Sequence, residues 1–366
     1  MTVLFTVLSL SVLATILAGI VVLADYKLND YGICKIDIND GTRSLEVNGG
    51  SSLLSSLASQ KIFVPSACGG KATCGLCKVT LVESAGPVLP TEEPYLSAVE
   101  MESGVRLSCQ VKVKHDLKIR IPEEFFNIRQ YRTRVSEIKQ LTHDIKQFRF
   151  QLLEPNTINF KAGQYVQIDS KPYGKVTEAV SRAYSISSVP SENNIIELII
   201  RLVPGGICTT FLHEHVKEGD EMTFAGPFGD FYLHEGGDEL IFIAGGSGLA
   251  PIRSLVLDIL EKNLDKKMKF FFGAVRKRDL YYVEFFRDLE KRYDNFQYIP
   301  ALSGATPEDE WDGEEGLITD VVARHVPDAK GRQAYLCGSP GMINACVQVL
   351  TKIGFERETA IFFDEF

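Results

Sequence analysis

The first stretch of the chain differs from the rest in its pattern of hydrophobic and polar positions. Thr2–Ala24 is an apolar run of 23 residues without an ionisable side chain. At 1.5 Å per residue, a helix of this length can cross a hydrocarbon core about 30 Å thick. A cleaved signal peptide usually has a positive start and a shorter apolar region, whereas no Lys or Arg precedes this run. The pattern therefore predicts a transmembrane anchor over residues 1–25.

The charges next to this segment predict its orientation. Lys27 and Lys35 follow on its C-terminal side, which favours placing the remaining chain in the cytoplasm. The segment offers no Asp, Glu, Lys, Arg or His to carry an ion. It can therefore hold the protein at a membrane, but alone it is not an ion path.

Two regions after the anchor are predicted to be rich in strands. The pattern of residues 31–123 predicts short strands, a helix after the Gly49-Gly50 turn and a Gly-rich loop. Residues 127–233 alternate polar and apolar positions between turns, which is the pattern of an antiparallel β-barrel or sandwich. The clearest strands of this second region are Tyr131–Ile138, Lys146–Leu153 and Ile195–Val203.

The last region, residues 237–366, alternates buried-type strands with amphipathic helices. This order predicts an α/β domain with a parallel sheet and ligands at the carboxyl ends of its strands. The predicted elements are the strands Glu239–Ala244 and Lys269–Ala274, a strand from Ala334 that ends in a Gly-rich turn, and the helices Ile252–Lys262 and Tyr282–Lys291. The whole chain is thus predicted to be multidomain.

Composition narrows the class of function. Of the 366 residues, 45% are hydrophobic and 24% are charged, which excludes a disordered protein. The net charge of −9 argues against a nucleic-acid partner, because nucleic-acid binding requires a basic face. Eight cysteines are too few for a disulfide scaffold of this length, so their spacing matters more than their number.

Four of the cysteines are spaced as ligands of an iron–sulfur cluster. Cys68, Cys74 and Cys77 share one Gly-rich loop, and Cys109 comes much later in the chain. Three thiolates on one loop and a fourth from a distant strand can wrap a compact two-iron cluster. The glycines of the loop let backbone N–H groups approach the sulfurs. The alternative of a structural zinc site usually supplies its ligands as two close pairs, and disulfides conflict with a reducing cytoplasm.

The spacing C-x5-C-x2-C with a remote cysteine resembles the [2Fe–2S] ferredoxins of the plant and adrenodoxin class. That resemblance implies a β-grasp (α+β) fold for residues 31–123. The other cysteines are interpreted as small buried hydrophobic residues; they are Cys34, Cys208, Cys337 and Cys346.

The barrel region carries a candidate flavin motif at Arg182-Ala183-Tyr184-Ser185. Alternate residues of a strand share a face, so Arg182 and Tyr184 can meet one ligand. A guanidinium suits a pyrophosphate, and a phenol ring can lie on an isoalloxazine. Ser185 offers a hydroxyl for a flavin ring nitrogen. The turn at Gly205-Gly206 opens a predicted helix whose start can receive a phosphate. Each motif alone also occurs on ordinary protein surfaces that bind no cofactor.

Together and in this order, the two motifs resemble the flavin domain of the ferredoxin-NADP⁺ reductase superfamily. The resemblance assigns Arg182, Tyr184 and Ser185 to the flavin and its pyrophosphate. It assigns Gly206 and Thr209 to the phosphate-binding helix start. It also implies FAD rather than FMN as the cofactor of residues 127–233.

A second Gly-rich turn follows the strand Glu239–Ala244. Strand, turn and helix in succession put a pyrophosphate against a helix N-terminus. The pattern Gly246-x-Gly248-x-x-Pro251 departs from the common dinucleotide fingerprint but matches the same reductase superfamily, and Pro251 fits a first helical turn. The superfamily places the equivalent of Cys337, before the Gly338 turn, beside the nicotinamide. The alternative is a buried core thiol.

Three further features follow, and the first two have two interpretations each. The cations of Arg276–Arg278 follow a strand and either bind a 2′-phosphate, favouring NADPH, or form a solvated turn; the resemblance favours NADH. Phe366 is the candidate for a terminal aromatic ring against the flavin, and the alternative is that the C-terminus completes the sheet. His213 and His215 lie two apart in a predicted helix and cannot share a face, so they are interpreted as solvated surface.

The order of anchor, ferredoxin, flavin barrel and nicotinamide domain resembles the F subunits of the sodium-translocating NADH:quinone oxidoreductases over essentially the whole chain. The resemblance implies that NADH passes a hydride to FAD, with Ser185, Cys337 and Phe366 at the reacting rings. Single electrons then pass through the cluster to membrane partner subunits and finally to ubiquinone, and the partners couple this to sodium transport. A flavin is required because NADH donates two electrons together and the cluster accepts one. The implied location is the bacterial inner membrane, with one span.

One departure and two alternatives accompany this resemblance. F subunits usually have a long insertion between flavin strands, whereas here only Tyr165–Ser181 precedes Arg182, and the loop after Arg201 is short. The main alternative is an NAD(P)H-dependent reductase component of an oxygenase, which has the same three soluble modules and usually lacks the membrane helix. The other is a redox sensor in which the cluster responds and the remaining domains are a scaffold.

Overall fold

The structure, a computed structural model, describes residues 10–20, 31–83 and 86–365. The chain divides into two compact units, Met1–Ile128 and Arg129–Phe366. The first unit contains a mixed sheet with short helices. The second contains an antiparallel barrel and a parallel sheet. Mixed sheet, barrel and parallel sheet follow one another in the predicted order.

The segment predicted as an anchor is described only in its middle. Residues 10–20 form a helix, α1, whose apolar side chains are exposed, among them Leu10, Leu13 and Leu17. Within the described ranges, no helix combines the length and apolar character that crossing a membrane requires. Residues 2–9 and 21–24 of the predicted span lie outside the described residues.

The first unit is built on a five-stranded mixed sheet in the order β2-β1-β5-β3-β4. Strand β1 alternates as a half-buried strand should, with Cys34, Ile36 and Ile38 buried. Helix α2 starts at Ser52, whose hydroxyl accepts the N–H of Ser55, and it packs on the sheet. The elements are β1 Ile33–Ile38, β2 Arg43–Asn48, α2 Leu53–Ser59, β3 Lys78–Leu81, α3 Ala98–Glu102, β4 Val105–Leu107 and β5 Leu117–Arg120.

The second unit opens with a six-stranded antiparallel sheet in the order β10-β7-β6-β11-β8-β9. A bridge between Ile186 and Leu198 joins the two ends of this order, so the sheet forms a nearly closed barrel, as predicted. A short helix follows β10 and continues as one wider π-helical turn, Phe211–His215. The elements are β6 Arg129–Gln140, β7 Ile145–Glu154, β8 Tyr165–Asp169, β9 Ser181–Ser185, β10 Ile195–Arg201, α4 Ile207–Thr210 and β11 Glu221–Phe228.

The remaining residues form a parallel sheet in the order β15-β14-β13-β12-β16-β17. The central strand β12 is apolar on both faces, because helices cover both sides of the sheet. The predicted strands and helices are present, with ends shifted by a few residues. They are β12 Glu239–Gly245, α5 Leu249–Glu261, β13 Lys267–Ala274, α6 Val283–Arg292, β14 Phe296–Leu302, β15 Glu314–Glu315, α7 Ile318–His325, β16 Arg332–Gly338, α8 Pro340–Ile353, α9 Arg357–Ala360 and β17 Ile361–Glu365.

The interpretation of His213 as solvated surface is wrong. Its side chain is buried, its Nε2 lies 3.0 Å from the carbonyl oxygen of Ile200, and its ring packs edge-on against Phe148. Burial lowers the pKa of His213 below its ordinary value. The regular helix assumed from the sequence is a π-turn here, which changes the faces that its residues present. His215 is exposed at the surface, where its ring packs on Tyr173.

Candidate cofactor sites

The four cysteines predicted as cluster ligands approach one another in two pairs. The sulfurs of Cys68 and Cys74 lie 3.4 Å apart, and the thiols of Cys77 and Cys109 hydrogen-bond to each other. In tetrahedral coordination with bonds of about 2.3 Å, two thiolates on one metal lie roughly 3.8 Å apart. Each pair is therefore spaced to serve one metal of a two-metal cluster.

Backbone N–H groups surround these sulfurs. The N–H of Lys71 donates to the Cys68 sulfur at 3.2 Å, and the N–H of Thr73 approaches the same sulfur. The hydrogen bond from Cys74, helped by these N–H groups and opposed by burial, lowers the pKa of Cys68 to about 4. The hydrogen bond from Cys77 lowers the pKa of Cys109 to about 7. One cysteine of each pair is thus favoured as the thiolate, the form that binds iron.

The pKa values of the other two cysteines, Cys74 and Cys77, shift in the opposite direction. The hydrogen bond with Cys68, together with burial, raises the pKa of Cys74. The hydrogen bond with Cys109, together with burial, raises the pKa of Cys77. Each pair therefore shares one proton, which metal binding would displace.

The cysteine loop requires backbone conformations that glycine adopts readily. Gly70 has φ +86°, and its N–H donates to the hydroxyl of Ser66 at 3.1 Å. A Cβ at Gly75 would lie 2.6 Å from the ring of Tyr95, so this residue has no space for a side chain. No three His, Cys, Asp or Glu side chains in the described parts of the chain are arranged around a single metal ion. Two thiol pairs fit a two-iron cluster better than one zinc ion.

A buried ion pair supports the strand that leads to Cys109. Glu92 is 0% exposed, and its two carboxylate oxygens share the Nε–H of Arg106 at 2.9 and 3.0 Å, while one of them also accepts from Arg106 Nη2 at 2.6 Å. It also accepts the backbone N–H groups of Leu89 and Leu107. Burial alone would raise the pKa of Glu92, but these hydrogen bonds hold it below its ordinary value. The sequence did not indicate this pair.

In the barrel, the predicted flavin residues lie on strand β9. Arg182 and Tyr184 pair with Ile168 and Val166 and share one face, while Ser185 pairs with Tyr165 on the other. The ring of Tyr184 is partly exposed, but its hydroxyl is buried beside the Cys208 thiol. Burial, followed by that thiol, raises the pKa of Tyr184. A partly exposed ring on this strand can lie against a flat cofactor.

The hydroxyl of Thr209, a residue predicted at the phosphate-binding helix start, stabilises the turn before α4. The Thr209 hydroxyl accepts the N–H of Val203 at 3.2 Å and lies 3.3 Å from the carbonyl oxygen of Gly206. A Cβ at Gly206 would lie 2.6 Å from that hydroxyl. The pair therefore shapes the helix start.

The turn after β12 brings two domains of the second unit together. A Cβ at Gly248 would lie 2.1 Å from the carbonyl oxygen of Cys337, so only glycine allows the turn to pack against β16. The hydroxyl of Tyr281 donates to the carbonyl oxygen of Gly246 at 2.7 Å. A Cβ built on Gly246 would lie 3.6 Å from a guanidinium nitrogen of Arg201, which ends barrel strand β10. Pro251 lies in the first turn of α5.

Strands β16 and β17 place Cys337 next to Asp364. Cys337 is fully buried, and burial, followed by the Asp364 charge, raises its pKa well above the ordinary value. The carboxylate of Asp364 lies 3.3 Å from the Ser185 hydroxyl of the barrel. Burial raises the pKa of Asp364 to about 6, although the Ser185 hydrogen bond opposes this. The placement of Cys337 beside a nicotinamide stays a prediction.

The sequence alone did not indicate Asp364 as a site residue. The candidate it offered near the C-terminus was Phe366. An acidic residue in the last strand of the chain, two positions before the candidate Phe366, is the sequence signal that could have pointed to Asp364. Phe366 lies outside the described residues. Gly338 ends β16 with φ +153° and lies against Met342.

The cationic turn Arg276–Arg278 is engaged by the loop after β14. Arg276 donates to the Asp309 carboxylate at 2.8 Å and to the Thr306 hydroxyl at 2.7 Å. Arg278 is 79% exposed. The turn is thus partly solvated and partly paired with acidic residues.

Comparison with protein families matches three successive parts of the chain. A model described as the 2Fe-2S iron-sulfur cluster binding domain matches residues 36–114. The oxidoreductase FAD-binding domain matches residues 132–232, and the oxidoreductase NAD-binding domain matches residues 242–348. The three domains occur in the order that the sequence predicted.

Full-length relatives carry one name. The F subunit of the Na(+)-translocating NADH-quinone reductase of Histophilus somni (strain 129Pt) is 37% identical over 399 aligned positions, covering 97% of both chains. The protein of that name in Neisseria meningitidis serogroup B (strain MC58) is 34% identical over 406 positions, covering 100% of both. These alignments are longer than the 366 residues of this chain, so parts of the relatives have no counterpart here.

Two solved structures share the fold over most of their length. The Amycolatopsis cytochrome P450 reductase GcoB is 27% identical, with a TM-score of 0.72, over 91% of this chain and 98% of that one. A ferredoxin reductase in carbazole 1,9a-dioxygenase is also 27% identical, with a TM-score of 0.69 and the same coverage.

Proposed function

This chain belongs to the family of the F subunits of the Na(+)-translocating NADH-quinone reductases, and we propose the residues through which it serves as the electron-input component of a membrane complex. It is an NADH-oxidising oxidoreductase with FAD and a [2Fe–2S] cluster as cofactors, and electrons pass from NADH to FAD and then to the cluster. The observation that carries the residue assignment is the contact of barrel Ser185 with Asp364, next to Cys337.

The cluster ligands are Cys68, Cys74, Cys77 and Cys109. The two close thiol pairs support this assignment, and so do the N–H groups directed at Cys68. The lowered pKa values of Cys68 and Cys109 supply thiolates without a further base. Glu92 and Arg106 hold the strand that leads to Cys109.

The flavin residues are Arg182, Tyr184 and Ser185, with Gly206 and Thr209 at the helix start. When bound, FAD accepts two electrons together from NADH and releases them singly, which a one-electron cluster requires. Arg182 binds the pyrophosphate, because a guanidinium provides several donors to phosphate oxygens. The partly exposed ring of Tyr184 lies against the flavin ring.

The nicotinamide coenzyme binds along the carboxyl end of the parallel sheet. The turn Gly246–Gly248 and the helix that includes Pro251 receive its pyrophosphate. Arg201 reaches the same turn from the barrel and supplies a positive charge. Cys337 and Gly338 border the nicotinamide end, and Phe366 covers the flavin.

Ser185 and Asp364 form a two-group path for a proton. With flavin bound, the Ser185 hydroxyl would accept the proton that the reduced ring gives up as electrons leave, and in the same relay it would donate its own proton to the Asp364 carboxylate. The distance of 3.3 Å between their oxygens supports this transfer, and so does a pKa of about 6, which lets Asp364 accept and release a proton near neutral pH.

The chain works in a multisubunit complex, and we propose that its site in the cell is the bacterial inner membrane. The N-terminal apolar run acts as a single-pass anchor, with the soluble domains on the cytoplasmic side. Membrane partner subunits accept electrons from the cluster and pass them to ubiquinone, and these partners couple the transfer to sodium transport. The names of the full-length relatives and the apolar run of 23 residues support this proposal.

A reductase component of an oxygenase is the second candidate. The two solved structures are named as a cytochrome P450 reductase and as a ferredoxin reductase of a dioxygenase, each at 27% identity. The higher identity of the full-length NADH-quinone reductase relatives, 34–37%, favours the membrane complex. Co-purification from native membranes decides between them: membrane subunits are expected with the chain, and a soluble oxygenase would contradict the proposal.

The variant Cys74→Ala tests the order of electron transfer. It should still oxidise NADH with ferricyanide as an artificial acceptor, because the flavin and nicotinamide sites are intact. It should lose cluster absorption and the reduction of quinone in native membranes, because one metal loses a ligand. The matched control is Cys34→Ala, a buried cysteine of the same unit outside the loop, which should keep both activities. Normal quinone reduction by Cys74→Ala would contradict the proposed order.

A further inference from the structure

The sheet edge beside the Gly246–Gly248 turn carries a network of ion pairs. Strand β12 ends next to β13, with Gly245 opposite Gly273, and the chain leaving β13 at Ala274 reaches Arg276 two residues later. In parallel sheets that bind dinucleotides, the ribose of the adenosine lies beyond the strand next to the glycine turn. Arg276 therefore stands where a cation would meet a 2′-phosphate.

The side chain of Arg276 is already bound by the neighbouring loop. Its Nε donates to Asp309 Oδ2 at 2.8 Å, and its terminal nitrogen donates to the Thr306 hydroxyl at 2.7 Å. Asp309 Oδ2 also accepts the N–H of Thr306 at 2.9 Å. The backbone N–H of Lys277 donates to the other Asp309 oxygen at 3.3 Å. One carboxylate thus joins the two loops that follow β13 and β14.

The loop around this network is acidic and opens into a pocket. A pocket of about 430 Å³ is lined by Thr306, Glu310, Trp311, Asp312 and Glu315, among others. Glu308 adds a further carboxylate 3.9 Å from the Arg276 guanidinium. A phosphate monoester carries about 1.5 to 2 negative charges near neutral pH, so a 2′-phosphate would be repelled here.

We propose that Asp309 selects NADH over NADPH by holding Arg276 in the loop network, beside a pocket that the carboxylates of Glu310, Asp312 and Glu315 keep negative. A ribose 2′-hydroxyl can donate to the oxygen atoms of this pocket, whereas an ionised 2′-phosphate has no proton to donate and meets carboxylates while Arg276 is engaged by Asp309. The inference rests on the proposed function, because it assigns the coenzyme preference of the same nicotinamide domain.

The test measures flavin bleaching by NADH and by NADPH in the holoenzyme. Asp309→Asn releases Arg276 and should raise the ratio of kcat/KM for NADPH over NADH roughly tenfold or more. The control Glu308→Gln removes one charge from the same loop at a side chain that is 90% exposed, and it should change the ratio by less than about threefold. Adding Arg276→Gln to Asp309→Asn should abolish the gain. A ratio within about twofold of wild type in Asp309→Asn overturns the inference.

Two measurements on the unmodified protein decide the case if Asp309→Asn does not fold. Trp311 is the single tryptophan of the chain, so its fluorescence should respond to ADP-ribose and much less to 2′-phospho-ADP-ribose. Added salt screens the acidic loop, so the relative use of NADPH should rise with ionic strength. Equal affinity for both probes, or no rise with salt, overturns the inference.

Failure of the inference is distinguishable from failure of the proposed function. If the wild-type holoenzyme does not bleach with NADH, the proposed function is wrong. If it bleaches with NADH but Asp309→Asn keeps the wild-type ratio, only the role of Asp309 is wrong.

Discussion

The hydroxyl of Ser185 lies 3.3 Å from the carboxylate of Asp364, although 179 positions separate the two residues in the chain. Ser185 ends a strand of the barrel, and Asp364 belongs to the last strand of the parallel sheet. The contact therefore depends on how the barrel packs against the sheet. Burial raises the pKa of Asp364 to about 6, so the proton it carries is exchanged in the physiological range.

The pH dependence of electron release tests this pair. Asp364 can accept a proton from Ser185 only when it is ionised, so transfer from reduced enzyme to the acceptor should slow as pH falls below about 6. Asp364→Asn should lose this pH dependence and should be slower at pH 8 by roughly a hundredfold, the usual size of general acid–base effects. Stopped-flow reoxidation of the reduced enzyme, measured from about pH 5 to about pH 8, tests both effects.

Glu365→Gln is the matched control for that experiment. Glu365 is the exposed neighbour of Asp364 on the same strand, and its charge helps to raise the pKa of Asp364, so its variant should keep a pH-dependent profile with the midpoint moved to lower pH. If Asp364→Asn also keeps a pH-dependent profile, another group accepts the proton.

The ion pair of Glu92 and Arg106 should stabilise the cysteine-bearing unit. Glu92→Gln leaves the buried Arg106 without its counter-charge, which typically costs about 3 to 5 kcal/mol. Because the folded protein holds the pKa of Glu92 below its ordinary value, the stabilisation should be present at neutral pH and lost as pH falls below about 4. Urea unfolding followed by cluster absorption at several pH values measures this.

The exposed pair of Lys118 and Glu83 provides the comparison. Its side chains are 58% and 63% exposed, so Glu83→Gln should cost less than about 1 kcal/mol. If Glu92→Gln and Glu83→Gln lowered the free energy of unfolding equally, burial of the Glu92 pair would contribute nothing to stability.

The close contact of Gly248 with Cys337 predicts a loss of coenzyme binding in Gly248→Ala. The new Cβ would meet backbone atoms of Cys337 at 2.1 and 2.4 Å, which cannot move aside as a flexible side chain could. The turn must shift, so kcat/KM for NADH should fall about tenfold or more while flavin content stays normal. Steady-state kinetics with ferricyanide and the flavin absorbance measure the two quantities.

Gly341→Ala is the control for this substitution, because a Cβ there has no atom within 4 Å. It should leave NADH oxidation unchanged. An unchanged kcat/KM in Gly248→Ala would mean that the turn is not where NADH binds.

Local patterns were sufficient to predict the domains and most of their elements. The alternation of Arg129–Gln140 and the continuous apolar run of Glu239–Gly245 distinguish a barrel strand from a central parallel strand, because burial on one or two faces leaves different periodicities. His213 was interpreted wrongly because a π-turn breaks the regular helical spacing on which that interpretation depended. Asp364 was missed because its partner, Ser185, is remote in sequence.

Short segments of the chain were enough to predict the chemistry of this protein: four thiols at cluster spacing, a candidate flavin strand and glycine turns suited to phosphates. The tertiary structure decided which remote side chains meet, namely Ser185 with Asp364, Glu92 with Arg106 and Arg276 with Asp309. Such pairs bridge different strands and loops, so their distances depend on packing and strand order, which no local periodicity encodes.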